Sequence, residues 1–347
     1  MSSPLLGKFL IRLNLDNLLQ YKFRNEGTIG DVIKQSISLY GGGICLIVND
    51  NLVIDIVQSY YRYRAHPKEY FMFGFPGMPT KRRKQFLTQR YKDLIMTTYV
   101  GLGDKRLFLE DKWRFYNFFR EYFKRDVICV RVENDLSTFL HFIENHPSFI
   151  IKPLHGQCGK GIQIIRLSSL DDPTFIFKDI ISSGEYVVEE LIKQDKEISS
   201  FNESTVNTVR FPSFYSKNGY NVLKPFLRLG RKGAIVDNAA TGGVFAVIDE
   251  RTGILTTEGF DEFGHSYERH PDSGIFIKGF QIPQWEELLK MAKEIHTMVP
   301  DYPYVGWDFA LSDRGWMLVE GNWGQFMSEW ADKEGIKEKF DFYFGLK

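Results

Sequence analysis

Two segments of this chain carry residue types that could do chemistry together. Residues 305–311 and 316–322 alternate apolar and polar side chains around Ser312-Asp313-Arg314-Gly315, the pattern of an antiparallel hairpin. A three-residue loop, Asp313-Arg314-Gly315, puts Gly315 where a left-handed residue is wanted and pairs Ser312 with Trp316. Asp308 then lies directly across from Glu320, with Asn322 two residues further along the same face. The opposite face (Val305, Trp307, Phe309, Leu311, Met317, Val319) reads as a core surface. Like charges directly opposed destabilise a plain sheet. Two carboxylates and an amide oxygen on rigid strands suit Mg²⁺, which prefers oxygen and shares its shell with substrate phosphates. The competing reading is an exposed acidic pair.

The second segment, Gly156-Gln157-Cys158-Gly159-Lys160-Gly161, is rich enough in glycine to bring backbone N–H groups close to phosphate oxygens. It is not a P-loop, because no Ser or Thr follows Lys160 and Ile162-Gln163-Ile164-Ile165 favours a strand over a helix. By itself it is an ordinary hairpin turn. Gly101-Leu102-Gly103 likewise stops short of a dinucleotide fingerprint. A glycine loop upstream and an oxygen-ligand face downstream together point to Mg-nucleotide chemistry.

The elements that must position these groups are legible in part. Phe149 to Pro153 and Gly161 to Leu167 read as strands joined by the glycine loop, and Glu185 to Ile192 as a third. Lys81-Arg82-Arg83-Lys84 opens a helix carrying Phe86, Leu87, Tyr91, Leu94 and Ile95; its basic run is expected to be a solvated face rather than a docking surface for an anion. Phe115, Phe118, Phe119, Tyr122 and Phe123 mark an amphipathic helix from Lys112 to Lys124. Trp285, Leu288, Leu289, Ala292, Ile295 and Val299 mark another, with Pro283 near its start and Pro300 at its end. Mixed strands and helices give an α+β or α/β class.

Composition sets outer limits. The 347 residues hold 44 Lys+Arg against 44 Asp+Glu, a neutral balance that argues against a nucleic-acid coater. Hydrophobic residues at 43% and charged residues at 25% are globular values, which exclude a disordered chain. The 30 Phe imply a phenylalanine-packed core, although some rings could stack on a flat ligand. Cys45, Cys129 and Cys158 stand far apart with no CxxC, so neither a disulfide framework nor a structural zinc site is expected, and a reducing compartment fits. No stretch reaches the ~18 apolar residues of a membrane helix. Residues 44–57 come closest, interrupted by Asn49, Asp50, Asn51 and Asp55. With no signal-peptide pattern at the N-terminus, a soluble cytoplasmic protein is expected.

On these residues the chain resembles the ATP-grasp superfamily over about residues 105–325. Lys112 at a helix start and Lys152 on a strand before the glycine loop match that superfamily's paired lysines. Val188-Glu189-Glu190-Leu191-Ile192 looks like its adenine hinge. Asp308 and Glu320-Gly321-Asn322 match its magnesium-binding Asp and Glu-x-Asn. Within the superfamily the chain is most similar to the sugar-transfer-associated group, linked to surface polysaccharides. That similarity rests on residues 204–210, Asp237-Asn238 with Gly242-Gly243, His270-Pro271 and Ile282-Pro283-Gln284-Trp285. The first hundred residues do not show the strand-rich domain that many ATP-grasp ligases carry there.

The resemblance implies an ATP-grasp fold with residues 1–105 as a helix-rich region, 106–195 as the lid subdomain and 196–347 as the metal-bearing subdomain. It implies that Lys112 and Lys152 neutralise the α- and β-phosphates of ATP while Gly156, Gly159 and Gly161 form a mobile lid. The Glu189, Glu190 and Ile192 segment would hold adenine through backbone groups, with Glu197 or Asp195 on the ribose. Arg210 and Arg228 lie on apolar strand-like stretches, where an arginine needs a partner. They are either structural ion pairs or catalytic groups stabilising charge on the transferring phosphoryl group and the acyl intermediate. Asn238, Gly242 and Gly243 could add donors to that intermediate. His270 and His155 read as structural or substrate-contact residues. The expected activity is ATP- and Mg²⁺-dependent ligation of a small-molecule carboxylate, such as a sugar carboxylate or an amino acid, to an amine. The alternatives are a sugar or small-molecule kinase, a natural-product peptide ligase and a non-catalytic nucleotide-binding module.

Overall fold

The computed structural model describes residues 27–40, 50–101, 104–156, 159–231, 233–237, 242–323 and 326–346. Cys45, Leu102, Gly103, Gln157, Cys158 and Asn238, all singled out above, lie outside these. The chain forms two compact units, residues 1–96 with 333–338, and residues 97–332 with 339–347.

The first unit is helical where it is described: α1 (Ile29–Tyr40), α2 (Asp50–Tyr63), α3 (Pro67–Met72), α4 (Thr80–Arg83) and the start of α5 (Gln89–Tyr99). The single helix expected from Lys81 onward is instead two. Phe86, Leu87 and Thr88 are buried in succession, which one helical stripe cannot supply. Thr88 Oγ1 then accepts from the Tyr91 backbone at 3.3 Å and starts α5. The basic run is not uniformly solvated either. Lys81, Arg82 and Lys84 are exposed, but Arg83 is buried, with its guanidinium forked onto Asp55 at 2.6 and 2.8 Å.

The second unit is built on two antiparallel sheets. After α6 (Asp104–Glu110), α7 (Lys112–Phe118) and α8 (Arg120–Phe123) come β1 (Val127–Val130), α9 (Leu136–Asn145), β2 (Ser148–Pro153), β3 (Gln163–Arg166), α10 (Pro173–Ser183) and β4 (Tyr186–Glu190). The four strands form a small sheet in the order β1-β4-β2-β3. Phe139, Phe142 and Ile143 of α9 and Phe177 and Ile180 of α10 bury against Phe149, Ile151 and Val188. Each buried ring contributes about 1.5–3 kcal/mol. The helix expected over 112–124 breaks at Phe119, which is fully buried beside Trp307 at a 5.6 Å ring distance.

Among the described residues the large sheet has eight strands. Those central to the site are β5 (Thr208–Ser216), β6 (Gly219–Val222), β7 (Phe226–Leu229), β8 (Val244–Val247), β9 (Gly259–Phe260), β10 (Ser266–Tyr267), β11 (Tyr304–Ser312) and β12 (Gly315–Asn322). Their order is β10-β9-β8-β7-β5-β11-β12, with β6 pairing the C-terminal half of β5 on the edge opposite β11. The helix Trp285–Thr297 packs its buried stripe (Trp285, Leu288, Ala292, Ile295) into the core cluster that holds Phe211 and Phe309. Near its end, His296 Nε2 donates to the Tyr302 carbonyl (2.8 Å), leaving Nδ1 to accept from Ser213 Oγ (2.6 Å), while Trp307 Nε1 donates to the same hydroxyl. Burial holds the His296 imidazole neutral, lowering its pKa to about 4. The mixed α+β class and the helix-rich N-terminal region agree with expectation. Among the described residues no helix is long and apolar enough to cross a membrane.

Candidate functional site

The hairpin brings Asp308 opposite Glu320 as expected, but by another route. Ser312 pairs with Gly315, not Trp316, and the pairing continues one residue out of the expected register to Phe309↔Leu318. An irregularity at Val319 then absorbs one residue and restores Asp308↔Glu320 and Gly306↔Asn322. Without it, Glu320 would point to the other face. On the far side of β11, Asp308 pairs with Arg210 of β5, and Thr208 of β5 pairs with Arg228 of β7. Glu320, Asp308, Arg210, Thr208 and Arg228 therefore share one face across four strands.

That face carries a buried ion cluster. Asp308 is fully buried. Arg210 Nη2 donates to its Oδ2 at 3.1 Å and Arg228 Nη2 reaches the same oxygen at 2.9 Å, with Arg210 Nε on Oδ1. Arg228 also lies 3.4 Å from Asp237, whose carboxylate accepts from the backbone and hydroxyl of Thr208. Burial works against the Asp308 carboxylate, but Arg210 and then Arg228 overcome it and hold its pKa well below the usual range. Glu320 goes the other way. It stays open to solvent on one side, yet the protein packed around the rest desolvates its carboxyl, and Asp308 repels it, so its pKa is raised. Asn322 Nδ2 donates to Glu320 Oε1 at 3.3 Å. Asp308, Glu320 and Asn322 offer hard oxygen donors alone, and a divalent cation would relieve the crowding of two carboxylates, so the set fits Mg²⁺.

The small sheet supplies cations. Lys112 heads α7 behind the Asp111 cap, and its Nζ donates to the carbonyls of Pro153 and Gly156 at 2.9 and 2.8 Å. Burial lowers its pKa against the pull of Glu320 and with a push from Lys152, so the lysine sits within reach of both sheets' charges. Gly321 explains how α7 comes so close to β12: a Cβ there would lie 2.9 Å from Phe115 Cε2. Lys152 Nζ donates to Glu189 Oε2 at 2.9 Å. Arg125, which sequence reasoning did not single out, forks onto the same oxygen at 3.0 and 2.7 Å. Burial opposes ionisation of Glu189, but Lys152 and then Arg125 hold its pKa at about 2.

Other expected site residues fall as follows. Gly159 and Gly161 adopt positive φ between β2 and β3, and a side chain at Gly161 would strike Pro153 Cγ at 2.8 Å. His155 and Gly156 line a cleft of about 450 Å³ with Glu110, Asp111 and Arg114. Glu189 sits inside β4, paired to Val127 on one side and Ile150 on the other, so its backbone serves the sheet. Glu190 turns to the other face and pairs with Arg314. The strand ends there, and Leu191 and Ile192 follow it. Asp195 spends its carboxylate capping Glu197 N at 2.9 Å, whereas Glu197 is exposed. His270 is buried against the Gly230 carbonyl at 3.0 Å, a structural placement. Asn238 is outside the described residues, and Gly242 and Gly243 precede β8.

Arg125 and Asp237 were the residues missed as charge partners. The one available signal was negative: each is a charge next to an apolar run that needs a counter-ion.

A family model described as sugar-transfer associated ATP-grasp matches residues 104–341. No curated protein matches the chain. Solved structures similar to it include the ATP-grasp ligase PsnB complexed with minimal precursor, at 12% identity, covering 64% of this chain and 55% of that one, TM-score 0.38. D-alanyl-alanine synthetase A from Vibrio cholerae is 10% identical, with coverage of 68% and 60% and a TM-score of 0.40. N5-carboxyaminoimidazole synthetase from Staphylococcus aureus complexed with ADP is 13% identical, with coverage of 63% and 45% and a TM-score of 0.40. The matched part thus spans at most 60% of any of these three chains. Likenesses of this degree say nothing about substrate.

Proposed function

Because the chain belongs to the sugar-transfer-associated ATP-grasp family, we propose that it is an ATP- and Mg²⁺-dependent ligase joining a carboxylate to an amine. The observation that carries this reading is the pair of opposite features: Lys112 fixed on the Pro153 and Gly156 carbonyls ahead of the glycine loop, with Lys152 on the adjoining strand, and Asp308, Glu320 and Asn322 on one face of the hairpin. A magnesium nucleotide presents both polarities, and this arrangement complements both.

Lys112 and Lys152 bind the α- and β-phosphates, and the loop through Gly156, Gly159 and Gly161 closes over the triphosphate. Leu191 and Ile192 hold adenine through their backbone groups, and Glu197 takes the ribose hydroxyls. When bound, Mg²⁺ held by Asp308, Glu320 and Asn322 supplies neutralisation of polyphosphate charge. Arg210 and Arg228 face the γ-phosphoryl group and steady the charge that moves onto it. A substrate carboxylate oxygen attacks the γ-phosphorus; the bond to the bridging oxygen breaks, ADP leaves and an acylphosphate remains. The amine nitrogen then attacks the acyl carbon, the carbon–oxygen bond to phosphate breaks, and an amide, phosphate and a proton result. The protein's part is positioning and charge neutralisation, so no side-chain nucleophile is required.

The acid is a sugar carboxylate or a small amino acid, joined to a glycan building block in surface-polysaccharide assembly. Paired hydrogen bonds from an arginine suit such a carboxylate. The test combines purified protein, ATP, Mg²⁺, uronate-containing nucleotide sugars and amino acids, read by mass spectrometry. ADP and phosphate in equal amounts with an amide product support the reading. AMP and pyrophosphate would sink the acylphosphate route, a phosphorylated product would make the protein a kinase, and amides formed only between amino acids would remove the glycan assignment.

A further inference from the structure

Two cations share one oxygen of Glu189, and they are held very differently. β1, β4 and β2 lie side by side, so Arg125 just ahead of β1 and Lys152 on β2 flank Glu189 on one face of the small sheet. The Arg125 side chain is 1% exposed and Glu189 5%, while Lys152 stands at the solvent edge with 14%. Arg125 is further fixed by Nη1 donating to the Leu318 carbonyl of β12 at 2.8 Å, and its guanidinium lies 4.6 Å from the Phe123 ring. Among the described residues Lys152 shows no such second anchor: its ammonium bonds Glu189.

We propose that Arg125 is a positioning residue for nucleotide binding: it stays on Glu189 as a fixed counter-ion and so releases Lys152 to the phosphates of ATP. The inference rests on the phosphate-binding role proposed for Lys152. A buried carboxylate tolerates the departure of one cation only if another remains. With Arg125 present, Lys152 leaves Glu189 and the carboxylate keeps a forked partner. Without Arg125, Glu189 holds Lys152 as its sole counter-ion and competes with the nucleotide for it. The same guanidinium ties β4 to the strand that carries Glu320, so the counter-ion also keeps its own position constant when Lys152 moves.

The experiment is a calorimetric titration of the full chain with ATP and Mg²⁺, using Lys152→Met, Arg125→Met, Arg125→Lys, Glu189→Gln and the double variant Arg125→Met/Glu189→Gln. Circular dichroism confirms that each is folded. Arg125→Met is expected to weaken ATP binding about tenfold, equivalent to 1.4 kcal/mol. Glu189→Gln alone binds as well as the parent or better, and the double variant recovers most of the loss because the competitor for Lys152 is gone. Arg125→Lys keeps a charge on Glu189 without the fork or the bond to the Leu318 carbonyl, and it stays near the parent; this arm decides the matter if Arg125→Met does not fold. Parent-like affinity in Arg125→Met, or a double variant no better than Arg125→Met, overturns the proposal. So does an Arg125→Lys protein that folds and loses ATP as badly as expected for Met, since a mere strut would behave that way. If Lys152→Met binds ATP like the parent, the phosphate role of Lys152 falls and this proposal with it. If Lys152→Met is weakened while Arg125→Met is not, only the counter-ion role is lost.

Discussion

The small sheet and the large sheet both bury charge, with opposite balances. Over the small sheet Arg125 and Lys152 meet the single carboxylate of Glu189, leaving a positive excess at the solvent edge. Across the large sheet Arg210 and Arg228 meet Asp308 and Asp237, with Glu320 added beside Asp308. The first ends in the Lys152 ammonium, bonded to Glu189, and the second in a carboxyl whose ionisation burial and Asp308 resist. Phosphates call for the former and a divalent cation for the latter. A buried ion cluster alone does not mark a site, since Asp55 and Arg83 of the first unit satisfy one another among backbone carbonyls. An unbalanced cluster at a solvent edge is a different object.

The most direct way to break this contrast is Glu320→Gln, which keeps the shape and removes the negative surplus. ATP turnover should fall by about a hundredfold or more, the scale of losing one charge-stabilising group. Thermal stability without nucleotide should hold or rise, because the opposition to Asp308 is relieved. Near-normal turnover would make the hairpin structural and move the site elsewhere.

Removing a cation from each sheet sharpens the comparison. Arg210→Met leaves Arg228 alone between Asp237 and Asp308, and chemical unfolding should show a loss of about 3–5 kcal/mol. Lys152→Met leaves Glu189 with Arg125, so its loss should be about 1–3 kcal/mol, the range of one charged hydrogen bond. Equal losses would mean that the two clusters are equally structural.

The helix under the large sheet gives a pH signature at higher pH than the small sheet, whose Glu189 responds only in the acid range. The unfolded chain protonates His296 near the ordinary histidine value of 6.5, and the fold resists until about 4. The unfolded state therefore binds more protons between those values. The contribution is intact above pH 6.5 and lost as pH falls toward 4, at up to about 1.4 kcal/mol per unit. His296→Gln should flatten the stability profile in that window, measured by urea unfolding at several pH values. An unchanged slope would show that His296 does not titrate this way.

Comparable to the Lys152→Met loss is the expected effect of Gly321→Ala. Its methyl group meets Phe115 at 2.9 Å and pushes α7 from β12, costing about 1–3 kcal/mol. Turnover should fall with it, because Lys112 and Glu320 move apart. A variant as stable as the parent would show that this close approach is not tight.

Much of this chemistry could be read along the chain, because it depends on periods the backbone imposes. Alternation placed Asp308, Glu320 and Asn322 on one face of a hairpin, and the glycine loop stood between two apolar strands as expected. Helical spacing found the stripe from Trp285 to Ile295. The turn itself was misread by one residue, and an irregularity at Val319 corrected the register; side-chain alternation reports faces but not where a strand absorbs an extra residue. The breaks at residues 84–88 and at Phe119 were invisible for a related reason, since a helix ends where tertiary packing needs a ring turned inward. Charge partnership was the part that only the tertiary structure decided. Arg125 reaches Glu189 and Leu318, and Arg228 reaches Asp308, from positions far apart in sequence. Local sequence determines which groups are charged and which way they face, but Coulomb energy depends on distance and burial, and both arise only when the two sheets have formed.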